Sequence, residues 1–368
     1  MQYTGILYLI ASFSAFPAIV GIAIMFILVP FFVLTKRIRI SRKLPNYIAI
    51  ALIISLSLWH LFFNPEFFNG GLVLHLIFLM CIALLLKERE FNLSSFITVI
   101  KALTILNTIL VFSYFIPNLR DIFYFDILGF YRFQGIYLEP SIAAISSIFN
   151  IIVLLPYIKK NKNSLYIFIN LLFVILTFSG SGLFLLLTTL FFYLVKNIKA
   201  SSLFFSFCFL MSLYYLIFLA FQDNFIYVRI MNILDGNFSQ STYIRFFAPF
   251  EFINYLYNSV PSNFLIGVSD PRLYIESNHS DFKYFYLWHG APTYDLNNGY
   301  AVLWSLSGLI GLGVFFTYMF YHWKNKNFLL NIFVFFVPFF TGHLVSIIYW
   351  FYIFIFIEFN RRNFLSTK

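Results

Sequence analysis

Apolar residues in this chain come in long runs separated by short polar connections, and about 20 apolar residues is the length a helix needs to cross a bilayer. The runs cover roughly 45–62, 70–87, 94–116, 137–158, 164–178, 181–196, 200–220, 297–321, 328–340 and 343–357. An earlier run, Tyr3 to Leu34, is too long for one upright span, and Pro17 divides it into two short ones. Thr341-Gly342 splits the last pair. The pattern therefore predicts an all-α integral membrane protein, a single polytopic domain over 1–368 with about eleven or twelve spans.

Between the runs lie basic clusters at 36–43, Lys87/Arg89, Lys159/Lys160/Lys162, Lys196/Lys199, Lys324/Lys326 and Arg361/Arg362. Alternating spans put every one of them on the same side, which the positive-inside rule makes the cytoplasm, with both termini on that side. The opposite face holds short connections near 63–69 and 179–180, a loop of about 117–134, and a large loop of about 221–298. A connection that long should carry structure of its own. Within it Tyr243 to Tyr257 reads as an aromatic-rich amphipathic helix lying in the interface, and Pro261 to Asp270 reads as turns. No repeat of the chain and no pair of inverted halves is visible.

Composition removes the soluble alternatives. Hydrophobic residues make up 61% of the 368 and charged residues 10%, against about 25% charged in a soluble domain. The net charge of +10 is spread over the basic clusters, so it describes membrane topology and not a nucleic-acid surface. Cys81 and Cys208 lie inside apolar runs and read as small buried hydrophobes; no disulfide framework or metal spacing is present. Met-Gln-Tyr-Thr-Gly at the start lacks a basic n-region, so insertion is expected to rely on the first apolar helix.

Polar chemistry concentrates in the outer loops. They contain Arg120, Arg132, Arg229, Arg245, Arg272 and Lys283, against the direction that topology favours. Arginine presents a planar fork that grips phosphate at two points and tolerates partial burial, so an outward-facing set beside lipid suits a lipid-linked pyrophosphate. For each arginine alone, pairing with a nearby acid is the plain alternative, most of all for Arg120 beside Asp121. The sharpest stretch is Arg132-Phe-Gln-Gly-Ile-Tyr-Leu-Glu-Pro-Ser-Ile-Ala-Ala144. Gly135 permits an unusual backbone angle. Pro140 fits the first turn of a helix, which leaves Glu139 at that helix's positive end. Small residues after it let another helix or a lipid chain pack close. Glu139 is the candidate base for a sugar hydroxyl, or else a charged cap. The outer acids are scattered, and no metal or other cofactor is expected; Asp270, near the Gly267 turn, is a candidate substrate contact.

Arg-Phe-x-Gly-Ile-x-x-Glu-Pro-Ser-x-x-Ala resembles the signature after the first outer loop of bacterial O-antigen and capsule polymerases, the Wzy group. Thr177-Phe-Ser-Gly-Ser-Gly-Leu183 is similar to that family's break between two short helices. Thr242-Tyr-Ile-Arg245 with Asn263-Phe-Leu-Ile-Gly-Val268 looks like its large-loop stretch, and Asn297 to Gly311 looks like the helix closing that loop. The resemblance implies a membrane glycosyltransferase of GT-C type that moves a growing glycan from undecaprenyl pyrophosphate onto a second lipid-linked repeat unit. Those repeat units, membrane lipid and a chain-length regulator are the implied partners. It implies a bacterial inner membrane with the active site facing the periplasm, leaving-group stabilisation by Arg132 and Arg245 with Arg229 and Arg272 in support, substrate contact by Arg120, and Glu139 as the base with His289 second. His279 and Asn298 are further substrate contacts. The related O-antigen ligases, which transfer glycan to lipid A core, usually carry a histidine just before the asparagine opening the final helices; Asn297 stands there here, which favours a polymerase. A flippase is a third reading, disfavoured by scarce mid-membrane charge.

Overall fold

The computed structural model describes residues 3–12, 31–35, 38–41, 43–88, 91–127, 130–137, 139–159, 163–197, 243–278, 287–288, 291–292, 296–340 and 347–362. In these the chain is mostly helical. Four helices are long and apolar enough to cross a membrane: Leu44–Phe63, Leu93–Phe115, Pro140–Tyr157 and Gly299–His322. In chain order the helices are α1 (Tyr3–Ser12), α2 (Leu44–Phe63), α3 (Gly70–Met80, continued by a π-turn to Leu85), α4 (Leu93–Val111) and α5 (Pro117–Phe123). Then follow α6 (Pro140–Leu154), α7 (Asn163–Leu176), α8 (Gly180–Asn197), α9 (Ala248–Ser259), α10 (Pro261–Ile266) and α11 (Pro271–Ser277). The last three are α12 (Gly299–His322), α13 (Phe328–Phe340) and α14 (Ile347–Arg362). Most apolar runs become helices with bounds moved by a few residues, because a helix buries its own backbone polar groups and needs only side chains that suit lipid or a neighbour. The run 200–220, Pro17 and Thr341-Gly342 lie outside the described residues.

Three differences from expectation stand out. The fold is not purely helical: β1 (Ile38–Ile40) pairs antiparallel with β2 (Leu86–Glu88), and β3 (Tyr124–Ile127) with β4 (Phe130–Phe133). A third short pair joins Leu287–Trp288 to Ala291–Pro292. All three lie at the ends of apolar runs or in connections, where unpaired backbone must find partners. The stretch 117–134 is therefore a short helix and a hairpin instead of a plain loop. Finally, Pro261–Ile266 is a helical turn, not a string of turns, because Pro261 occupies a first-turn position where its missing N–H costs nothing.

Aromatic rings fill the centre. Tyr8 of α1 stacks on Phe351 of α14 at 4.8 Å, and Phe149 of α6 meets Tyr352 at 4.8 Å. A chain of neutral polar groups threads the same region. Tyr8 donates to Asn150 Oδ1 (2.5 Å), Asn150 Nδ2 to Asn170 Oδ1 (3.0 Å), and Asn170 Nδ2 to Thr104 Oγ1 (2.9 Å). Ser146 and Tyr352 share a further hydrogen bond at 2.9 Å. The chain ties α1, α4, α6, α7 and α14 together without placing an unpartnered amide in the apolar interior. At one end of the bundle Arg39, Lys43, Lys87, Lys324 and Arg361 come close together. This is the basic end; the connections at 64–69 and 177–179 and the segment 243–278 lie at the other, the loop end.

Candidate functional site

Two clusters form at the loop end, each joining stretches far apart in sequence. In the first, β4 carries Arg132, whose Nε donates to the Thr177 carbonyl at 2.9 Å. That carbonyl is free because α7 stops there: Phe178 has φ 45° and turns the chain before α8 begins. Gly182, in the first turn of α8, presses against Ala144 of α6, and a Cβ there would overlap the alanine's own. Gly135 takes φ 60° beside Asn107 of α4, leaving no room for a side chain. Between these anchors the chain reaches Glu139, half-buried and extended (φ −142°, ψ 150°), with Pro140 opening α6. Glu139 Oε2 accepts from Ser141 Oγ at 2.9 Å and makes no capping bond to backbone. Its carboxylate faces the positive end of α6. Arg132, the start of α6 and the Thr177–Gly182 turn are thus joined by the Arg132–Thr177 hydrogen bond and by two close approaches, Gly182 to Ala144 and Gly135 to Asn107.

The second cluster surrounds α12. This helix breaks at Gly308 (φ 63°, ψ −168°), which would leave carbonyls of the preceding turn without partners. The chain after α10 supplies one: Val268 N donates to the Ser305 carbonyl at 2.6 Å. Trp304 Nε1 donates to the Phe264 carbonyl at 2.9 Å, and His60 Nε2 of α2 lies 3.0 Å from the Ile266 carbonyl. Gly267 (φ 90°) and Gly308 each lie so close to the other segment's backbone that neither tolerates a Cβ. Arg245 sits in a π-turn (Tyr243–Phe247) whose backbone is held by the start of α12: Asn298 Nδ2 donates to the Arg245 carbonyl at 3.0 Å, and Asn297 N to the Ile244 carbonyl at 3.0 Å.

The clusters are neighbours across the last turn of α13. Phe340 meets Phe184 of α8 at 5.3 Å, while Phe339 meets Tyr300 of α12 at 4.7 Å. Adjacent residues of a helix point about 100° apart, so one turn of α13 lines both groups.

Other candidates are taken up structurally. Asp270, expected to touch substrate, is buried and caps α11: one carboxylate oxygen accepts from Arg272 N (2.9 Å) and the other from Asn69 Nδ2 (2.8 Å). Both oxygens being used, it pins the large loop to the 64–69 turn. Asn298 is likewise a cap, accepting from Tyr300 N (3.0 Å) and Ala301 N (3.2 Å). Arg120 lies over the Tyr131 ring at 4.1 Å and beside Asp121 at 3.7 Å, which is the local pairing weighed for it. Arg272 is exposed on α11. Arg229, His279 and His289 lie outside the described residues. Among the described residues no three His, Cys, Asp or Glu side chains gather as a metal site.

Sequence reasoning missed Asn107, His60, Asn69 and the Tyr8–Asn150–Asn170–Thr104 chain. Asparagines inside apolar runs were the available signal, since each needs a partner there. The chain matches no known family, no curated protein and no solved structure.

Proposed function

We propose that this chain is a membrane glycosyltransferase using a lipid-pyrophosphate donor, of the O-antigen or capsule polymerase type. One observation carries the reading: the Arg132–Ala144 stretch and the Thr177–Leu183 turn, which carry the family resemblance separately, touch through Arg132 Nε–Thr177 O and Gly182–Ala144. The second pair of resembling stretches, around Arg245 and Gly267 and around Asn298 and Gly308, touch in the same way.

In the reaction, a hydroxyl of the acceptor repeat unit attacks the anomeric carbon of the donor. The bond from that carbon to the pyrophosphate oxygen breaks, and the pyrophosphate leaves with the electron pair. Glu139 takes the hydroxyl proton. Arg132 and Arg245 offset the charge that grows on the departing oxygen. The donor arrives already lipid-bound, so no nucleotide sugar takes part. The neutral character of the mid-bundle hydrogen-bond chain gives a flippase no titratable relay there.

The test is the glycan length profile of cells that depend on this chain. Glu139→Gln should slow polymerisation by about 10²-fold or more, and Arg132→Ala or Arg245→Ala by about 10²-fold, in variants that insert normally. Undiminished chain length in all three rejects the reading. A deletion that leaves long glycans on the carrier lipid, instead of single units on the core, assigns a ligase.

A further inference from the structure

A cavity of about 960 Å³ opens at the basic end, far from the clusters above, lined by Val33, Arg39, Ile40, Tyr47, Lys87, Glu88 and Arg361. We propose that it binds the phosphate of an anionic lipid headgroup, held by Arg39, Lys87 and Arg361. The backbone forces the first two together: in the β1–β2 ladder Arg39 stands directly opposite Lys87. Like charges directly opposite on a two-stranded ladder repel, and no acid among the described residues pairs with either.

Of the nearby carboxylates neither forms an ion pair with Arg39 or Lys87 among the described residues, and Glu358 offsets only part of the charge on Arg361. Glu88 accepts from Thr4 Oγ1 within the bundle. Glu358 pairs with Arg361 and with Arg362 Nε (3.2 Å). Arg361 Nε remains buried with no hydrogen-bond partner among the described residues. Burial first, then the charges of Arg361 and Lys43, hold the Lys87 pKa below its ordinary value, and the Glu358 carboxylate offsets only part of this.

Apolar groups at the mouth point to lipid over free phosphate. Val33, Ile40 and Tyr47 are 36%, 56% and 42% exposed beside the cations, with Leu34 and Leu44 nearby at 80% and 68%. A headgroup seated on the cations would lay its acyl chains along these side chains. The polar pocket next to an apolar skirt is the arrangement for a lipid phosphate at a membrane surface.

Thermal melts in nanodiscs test this. Phosphatidylglycerol in place of phosphatidylcholine should raise the wild-type melting temperature by about 3–5 °C. Arg39→Gln and Lys87→Gln should abolish that rise, while Lys87→Arg keeps it and Lys159→Gln, a lysine outside the cavity, leaves it intact. In phosphatidylcholine both glutamine variants should melt at or above wild type, since each removes a repulsion. Absence of any rise, a rise that persists in both glutamine variants, or its equal loss in Lys159→Gln overturns the proposal. The full rise with millimolar inorganic phosphate in phosphatidylcholine overturns the lipid assignment.

Discussion

Single residues decide where this chain can turn. Gly135 holds φ 60° with Asn107 Oδ1 against the place a Cβ would occupy. Gly135→Ala should therefore lose about 1–2 kcal/mol from the left-handed backbone alone, and more from the clash. Adding Asn107→Ser should restore the steric part only, which thermal unfolding in detergent can separate. Lys87 is a residue-scale test of the basic end. Its pKa is lowered from 10.5 by burial, so the folded state disfavours the protonated amine. That cost is present in full below the folded pKa and disappears as pH rises from the folded value to 10.5. The stability of wild type relative to Lys87→Gln should hence climb between pH 7 and pH 10.5 in phosphatidylcholine. A flat difference across that range would show that neither burial nor the neighbouring cations perturb Lys87.

At the scale of elements, the packing of helix ends matters more than the helices themselves. Gly182 of α8 and Ala144 of α6 leave no space between their backbones. Gly182→Ala should destabilise the protein, and Ala144→Gly should restore part of the loss, with a coupling of about 0.5–3 kcal/mol in a double-mutant cycle. Because Arg132 hangs on the Thr177 carbonyl in this junction, Gly182→Ala should also lower any transferase activity more than it lowers expression. The large loop is held by a different device. Asp270 caps α11 and binds Asn69, so Asp270→Ala should cost about 0.5–2 kcal/mol for the cap and speed proteolysis between 260 and 280. If the chain is the proposed polymerase, Asp270→Ala should slow it only indirectly, with Asp270→Asn keeping most of the rate.

Across the whole molecule, the gathering of Arg39, Lys43, Lys87, Lys324 and Arg361 at one end fits the positive-inside pattern read from the spans. Cysteines placed at Lys159 and at Ser277 in a cysteine-free background should label from opposite sides of the membrane. Labelling of both from one side would break the proposed threading.

Helix positions were legible because a long apolar run in lipid or in a core needs its backbone bonded internally, and four of the resulting helices are long and apolar enough to cross a membrane. The helix start at Pro140 and the turn at 177–182 were legible for local reasons, proline at a first turn and glycine where the chain reverses. The amino-acid order also placed arginines in the stretches 117–134 and 221–298. What it did not disclose is which connections meet. Val268 reaches the Ser305 carbonyl, Arg132 reaches Thr177, and Arg39 faces Lys87 only because separate segments compete to satisfy backbone groups that broken helices and short strands leave open. Asp270 and Asn298, read as substrate contacts, also cap helices, a role visible only once α11 and α12 are in place. Local chemistry thus settles where each helix begins and ends, whereas contacts between distant segments settle which polar side chains remain available to a substrate.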